Sequence, residues 1–138
     1  MVHALREVQR VLKSGGLLLD LRPGAVHRRV GIEVDGQYKQ LAIMNESLKD
    51  DYAANRAVAE IIREGLFKTV ARIQVNCKRT MALTDFSRWL ADFPTDRDRR
   101  QERLVRIVER AFEEGNGKRK KIVVNGPLIL KVLKKITT

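Results

Sequence analysis

Apolar positions along the chain switch between helical and extended spacing. Leu5, Val8, Val11 and Leu12 recur at helical intervals while Arg6, Glu7, Gln9, Arg10 and Lys13 fill the other side, which predicts an amphipathic helix. Gly15 stands where a left-handed helix C-cap is expected. Leu17-Leu-Leu-Asp-Leu21 is a nearly continuous apolar run, the pattern of a strand covered on both faces in a parallel α/β sheet. Arg22-Pro-Gly24 reads as a turn. Arg28 to Asn45 predicts a hairpin about Asp35-Gly36, with Val30, Ile32 and Val34 alternating on one arm and Leu41 and Ile43 on the other.

The pattern then returns to helix from about Glu46 to Gly65, with Asn45 or Ser47 as cap and Asp50 and Asp51 near the positive end of the dipole. Leu48, Tyr52, Ala59, Ile62 and Leu66 form its apolar face, widened by Val58 and Ile61. From Phe67 to Lys78, Ala71, Ile73, Val75 and Cys77 alternate with Arg72, Gln74, Asn76 and Lys78, which suits a strand near a sheet edge with one wet face. Thr84-Asp85 opens a short helix whose Phe86, Trp89, Leu90 and Phe93 read as a core or interface plug, ended by Pro94. A further helix starts near Thr95-Asp96. Its Leu104, Ile107, Val108, Ala111 and Phe112 make one apolar stripe. Opposite lies a charged ladder of Arg97, Arg99, Arg100, Arg103, Arg106 and Arg110 with Asp98, Glu102 and Glu109. The last extended segment is Lys121 to Leu133, bent or split at Gly126-Pro127.

Arg10-Val-Leu-Lys-Ser-Gly-Gly16, placed between an amphipathic helix and an apolar strand, resembles the helix-to-fifth-strand junction of class I S-adenosylmethionine-dependent methyltransferases. Ser14 stands where that family usually has proline. The later order of long helix, alternating strand, helical insert and last strand is similar to the C-terminal portion of the same family. The resemblance implies an α/β fold: a partial Rossmann-like methyltransferase sheet of C-terminal strands, the last strand antiparallel between the fifth and sixth, with helices and a β-hairpin insertion. Leu17 to Leu21 then forms a sheet edge whose usual neighbour, the fourth strand, is not among these residues. A homodimer or a separately encoded N-terminal half is the implied partner.

The family binds its cofactor through a Gly-x-Gly-x-Gly-like turn after the first strand and an acidic residue closing the second. Neither is present. Gly115-Asn-Gly117 and Gly15-Gly16 follow helices and precede strands, the reverse of the order such a cradle needs. S-adenosylmethionine is therefore the implied cofactor of the family, no residue here is assigned to bind it, and the chain alone is expected to be inactive. Loops at the C-terminal ends of strands face ligands in open α/β sheets, so Arg22, His27 and Tyr38 are the candidate substrate- or partner-binding residues. Trp89-Leu90 matches a pair that the family often places on the substrate side. No catalytic residue is assigned.

Length and composition fit a single domain over residues 1–138, with 43% apolar and 33% charged residues. No apolar run approaches the roughly 20 residues of a membrane span. Met1 opens directly into a helix without a basic-then-apolar leader. Cys77, the one cysteine, excludes an internal disulfide, suits a cytoplasmic protein, and is expected to pack in the interior. His3 and His27 lack the spacing of a metal site. The acidic pairs Asp50-Asp51 and Glu113-Glu114 point apart on a helix and form no general acid/base dyad.

The net charge of +11 implies attraction to polyanions. Lys118, Arg119, Lys120, Lys121, Lys131, Lys134 and Lys135 concentrate it after Gly117, where there is no acidic residue. Two readings of this stretch stay open: a solvated face, or a source of salt-sensitive phosphate contacts. The alternative function is thus a non-catalytic basic oligomeric module that binds nucleic acid or an acidic protein partner.

Overall fold

The computed structural model describes residues 1–92, 99–117 and 119–137, without the side chains of residues 99–101. The readings placed on Phe93, Pro94, Thr95, Asp96, Arg97, Asp98 and Lys118, and on the side chains of Arg99 and Arg100, lie outside the described residues. The elements run α1 (Val2–Val11), β1 (Leu17–Pro23), β2 (Arg29–Val34), β3 (Gln37–Ile43), α2 (Lys49–Arg63), β4 (Phe67–Met81), α3 (Leu83–Ala91), α4 (Arg99–Glu114) and β5 (Lys120–Lys135). The architecture is mixed α/β, with a five-stranded antiparallel sheet and four helices among the described residues. The chain divides into two compact units, Met1–Ala25 with Leu48–Val75 and Pro127–Thr138, and Val26–Ser47 with Asn76–Gly126.

In the first unit β5 lies between β1 and β4. It runs antiparallel to β1, from Leu17 opposite Lys134 to Pro23 opposite Leu128. At the start of β4 the Ile136 N–H donates to the Leu66 carbonyl at 3.0 Å. The last strand is thus central and antiparallel, as expected, but β1 has no parallel neighbour among the described residues, unlike a strand of a Rossmann-like sheet. Helices α1 and α2 cover one face. Leu5, Ala57, Val58, Ile61, Phe67 and Leu133 are buried there, with Val2, Val8, Leu12, Leu18, Ile62 and Leu66 packed around them. The expectation that β1 is covered on both faces fails: Leu17, Leu19 and Leu21 are 54%, 63% and 61% exposed. Leu18 and Leu133 point toward the helices, so their neighbours in the pleat point away, where no layer covers them among the described residues.

Two helix ends in this unit are set by glycine in different ways. Helix α2 closes in a Schellman motif, the Gly65 N–H donating to Ile62 at 3.0 Å and the Leu66 N–H to Ile61 at 3.1 Å, with Gly65 at φ 74°. Helix α1 ends earlier than Gly15 implies. Leu12 is already extended, and Gly15, at φ 70°, serves a separate turn closed by the Gly16 N–H on the Lys13 carbonyl. Helix α2 also starts later than expected, with Leu48 rather than Asn45 or Ser47 at its N-cap and no side-chain cap. Its buried seam is Ala57, Val58 and Ile61, while Tyr52 and Ala59 face solvent.

In the second unit β2 pairs antiparallel with β3 and with the first half of β5. Asp35 and Gly36 both take positive φ, 49° and 83°, the left-handed pair of a two-residue hairpin turn. Between Val30 and Gly31 the register slips, leaving Leu41 as the extra residue of a bulge. Val30 and Ile32 lie opposite Val124 and Ile122, and this face is covered by Phe86 and Leu90 of α3 and Leu104 and Val108 of α4. The plug reading of the aromatic helix holds: Phe86 is fully buried, with Trp89 half-buried and its ring 6.1 Å from that of Phe86.

Strand β4 departs most from expectation. From Lys68 to Thr80 every residue is exposed, Ile73 and Val75 at 52% each, and Cys77 is an exposed free thiol rather than an interior residue. Among the described residues β4 pairs only with β5, so alternation gives it two faces but no described layer covers either.

Candidate functional site

Gly126-Pro127 is where the pairing of β5 changes, since β2 pairs through Asn125 and β1 from Leu128 onward. On the first side of that break, a groove of about 410 Å³ opens in the second unit, lined by Glu33, Asp35, Gly36, Arg119 and Lys121. The hairpin turn builds its wall. The Asp35 N–H donates to the Arg119 carbonyl at 2.8 Å, and the Arg119 N–H returns to Asp35 Oδ1 at 3.0 Å. Glu33 is opposite Lys121 and accepts from Lys78 Nζ at 2.9 Å. That bond and the Lys78 charge hold the Glu33 carboxyl below the ordinary carboxylate range. The groove therefore presents a mixed set of charges in which both carboxylates, Glu33 and Asp35, already accept hydrogen bonds.

The three sequence candidates take separate places. Arg22 lies on β1 in the first unit, where its Nε and Nη2 donate to Asp20 at 2.7 and 2.9 Å, a bidentate pair. His27 and Tyr38 belong to the second unit. His27 Nδ1 lies 3.3 Å from Glu46 Oε2, and Glu46, 8% exposed, also accepts the Arg28 N–H at 3.1 Å. Glu46 thus anchors the segment after β3 instead of opening α2. Tyr38 lies across Gly31, where a Cβ would run into its ring and stand 2.6 Å from the Lys39 carbonyl oxygen. The structure gathers none of the three around the groove.

Two lysines of the basic C-terminal stretch are engaged with helix ends. Lys120 Nζ donates to the Phe112 carbonyl at 2.8 Å in the last turn of α4 and sits 5.3 Å from the Phe112 ring centroid. Lys135 Nζ donates to the Leu12 carbonyl at 2.7 Å, at the end of α1. Each places a cation on orphan carbonyls at the negative end of a helix dipole. Lys121 lies opposite Glu33 and Lys131 opposite Asp20. Sequence reasoning missed both lysine caps, because the helix end and the lysine meet only through the fold.

An aliphatic strand face beside an open edge is left in the first unit. Leu19 faces Val132 and Leu21 faces Leu130, on the side away from the helices. Val70, of opposite parity to the buried Phe67, adds to this side and is 48% exposed. The outer edge of β1 is unpaired among the described residues. No group of three or more His, Cys, Asp or Glu side chains among them could hold a metal, and no helix is long and apolar enough to cross a membrane. Compared with known proteins, the chain matches no family, no curated protein and no solved structure.

Proposed function

We propose that these residues are the closing, C-terminal portion of a class I S-adenosylmethionine-dependent methyltransferase-like sheet, acting in the cytoplasm and inactive as this chain alone. The observation that carries the reading is the strand order of the first unit, with β5 antiparallel between β1 and β4. The Arg10 to Gly16 junction, leading from α1 into β1, supports it. The cofactor cradle and the acidic ribose ligand would come from a cofactor-binding half that takes the free edge of β1; in the isolated chain that edge is open to a second copy, which supplies neither.

Two measurements test it. Calorimetric titration of the isolated chain with S-adenosylmethionine is expected to show no binding at micromolar concentration. The DNA upstream of the Met1 codon is expected to encode, in the same or a neighbouring frame, a strand followed by Gly-x-Gly-x-Gly. Micromolar binding by the chain alone, or upstream DNA without that segment, overturns the proposal. The alternative, a basic module for nucleic acid or an acidic protein, loses some support from the engagement of Lys120 and Lys135. Salt-sensitive oligonucleotide binding without cofactor would restore it.

A further inference from the structure

We infer that the free edge of β1 pairs antiparallel with the β1 edge of a second copy of this chain, about a two-fold axis at Leu21. The inference rests on the partner-seeking edge of the proposed function and names its occupant and register; it does not use the methyl-transfer chemistry. β1 spans Leu17–Pro23, with its inner side paired to β5 throughout. The outer side is only lightly protected, by the charges of Asp20 and Arg22 on the Leu18 face and by Pro23 at its end. It carries no lysine and no bulge, and its one proline is the terminal residue.

The strand is self-complementary in one register. Leu18, Asp20 and Arg22 share one face, and Leu17, Leu19 and Leu21 the other. An antiparallel copy keeps leucine beside leucine only when paired residues share parity. A dyad at Asp20 sets Asp20 against the partner's Asp20 and Leu18 against the partner's Arg22. A dyad at Leu19 sets Asp20 against the partner's Leu18. A dyad at Arg22 pairs only the last three residues. A dyad at Leu21 sets Asp20 against the partner's Arg22 twice over, and Leu21 against the partner's Leu21.

That register closes a ring of alternating charge. Each carboxylate lies between its own Arg22 and the partner's Arg22, with like charges on the diagonals. The side chains of Asp20 and Arg22 are only 10% and 21% exposed, so their Coulomb interaction is less screened than at an open surface. On the other face the exposed leucines of the two copies come alongside one another and lose contact with water.

The wild-type chain is expected to sediment as a dimer at micromolar concentration. With the exposed native thiol removed by Cys77→Ser, a further Leu21→Cys substitution is expected to give a covalent dimer on mild oxidation. Leu19→Cys in the same background is expected to give none, because that residue faces the partner's Pro23. Asp20→Arg and Arg22→Asp each replace two opposed attractive pairs by repulsive ones, and each is expected to weaken self-association by about tenfold or more. An equimolar mixture of these two variants is expected to recover the dimer. A monomeric wild type overturns the inference, as does a dimer that cross-links through Leu19→Cys and not Leu21→Cys. A monomer that does not bind S-adenosylmethionine overturns the dimer and leaves the methyltransferase reading standing; a dimer that binds it does the reverse.

Discussion

In the first unit the strand face turned away from the helices carries Leu17, Leu19 and Leu21, each more than half exposed. In the second unit the corresponding face carries the opposed pairs Glu33 and Lys121, Arg29 and Asn125, and Gly31 and Val123. There Lys78 reaches Glu33, Asn76 donates to Asn125 at 3.4 Å, and the Tyr38 ring lies over Gly31. Both units bury one face of a short sheet under two helices. The second finishes its other face with ion pairs and amides around a fully buried Val123. The first leaves aliphatic side chains beside an edge unpaired among the described residues, and the proposed self-association rests on that surface.

The largest effects come from the two cores and set the scale for the bare face. Phe67→Ala in the first unit and Phe86→Ala in the second should each cost about 3–5 kcal/mol, read from urea midpoints, since both rings are fully buried. Leu19→Ser should cost no more than about 0.5 kcal/mol in a monomeric background such as Asp20→Arg. A loss at Leu19 comparable to that at Phe67 would mean that this face is covered, and the contrast between the units would fail.

Two glycines separate crowding from backbone strain. Gly31→Ala should cost about 1–3 kcal/mol, because the added methyl meets both the Tyr38 ring and the Lys39 carbonyl. Gly65→Ala meets nothing within 4 Å and should lose only the roughly 1–2 kcal/mol of a left-handed backbone at φ 74°. Equal stability of Gly31→Ala and wild type would show that Tyr38 moves aside freely, and that the second unit's outer face is less finished than its pairing suggests. Smaller again are the lysine caps. Lys120→Met and Lys135→Met should each cost about 0.3–1 kcal/mol, an effect that shrinks with added salt.

What was legible in the sequence was local. Asp35-Gly36 announces its turn by chemistry alone, and the stripe of Leu104, Ile107, Val108, Ala111 and Phe112 is read from spacing because one helix carries it all. The candidate residues were less legible. Arg22 is satisfied by Asp20 two positions away, a pairing the alternation permits but does not require, and His27 finds Glu46 only after the hairpin has folded between them. Burial was the least legible property. Ala71, Ile73, Val75 and Cys77 alternate as a half-buried strand should, yet alternation specifies faces and not what lies over them. The Leu41 bulge was hidden for a related reason, since one extra residue changes register without changing composition.

The finest test compares one ion-paired carboxylate from each unit. Glu64 accepts from Arg6 at 2.6 Å, and that hydrogen bond is the main cause holding its carboxyl below the usual range; Lys78 does the same for Glu33. A carboxyl whose folded pKa is lowered contributes stability above its unfolded value and loses it as pH falls through the folded value. Both contributions should therefore be present at neutral pH and fade below about pH 4. Carbon-detected NMR titration of the side-chain carboxyls reads each one. Arg6→Ala should raise the Glu64 midpoint toward the ordinary value and leave Glu33 unmoved, while Lys78→Ala should do the converse. The Lys78→Ala rise should be the smaller of the two if Lys121, opposite Glu33, still holds that carboxylate in its charged form. An equal or larger rise would show that Lys121 points its charge elsewhere, and that the polar face of the second unit rests on Lys78 alone.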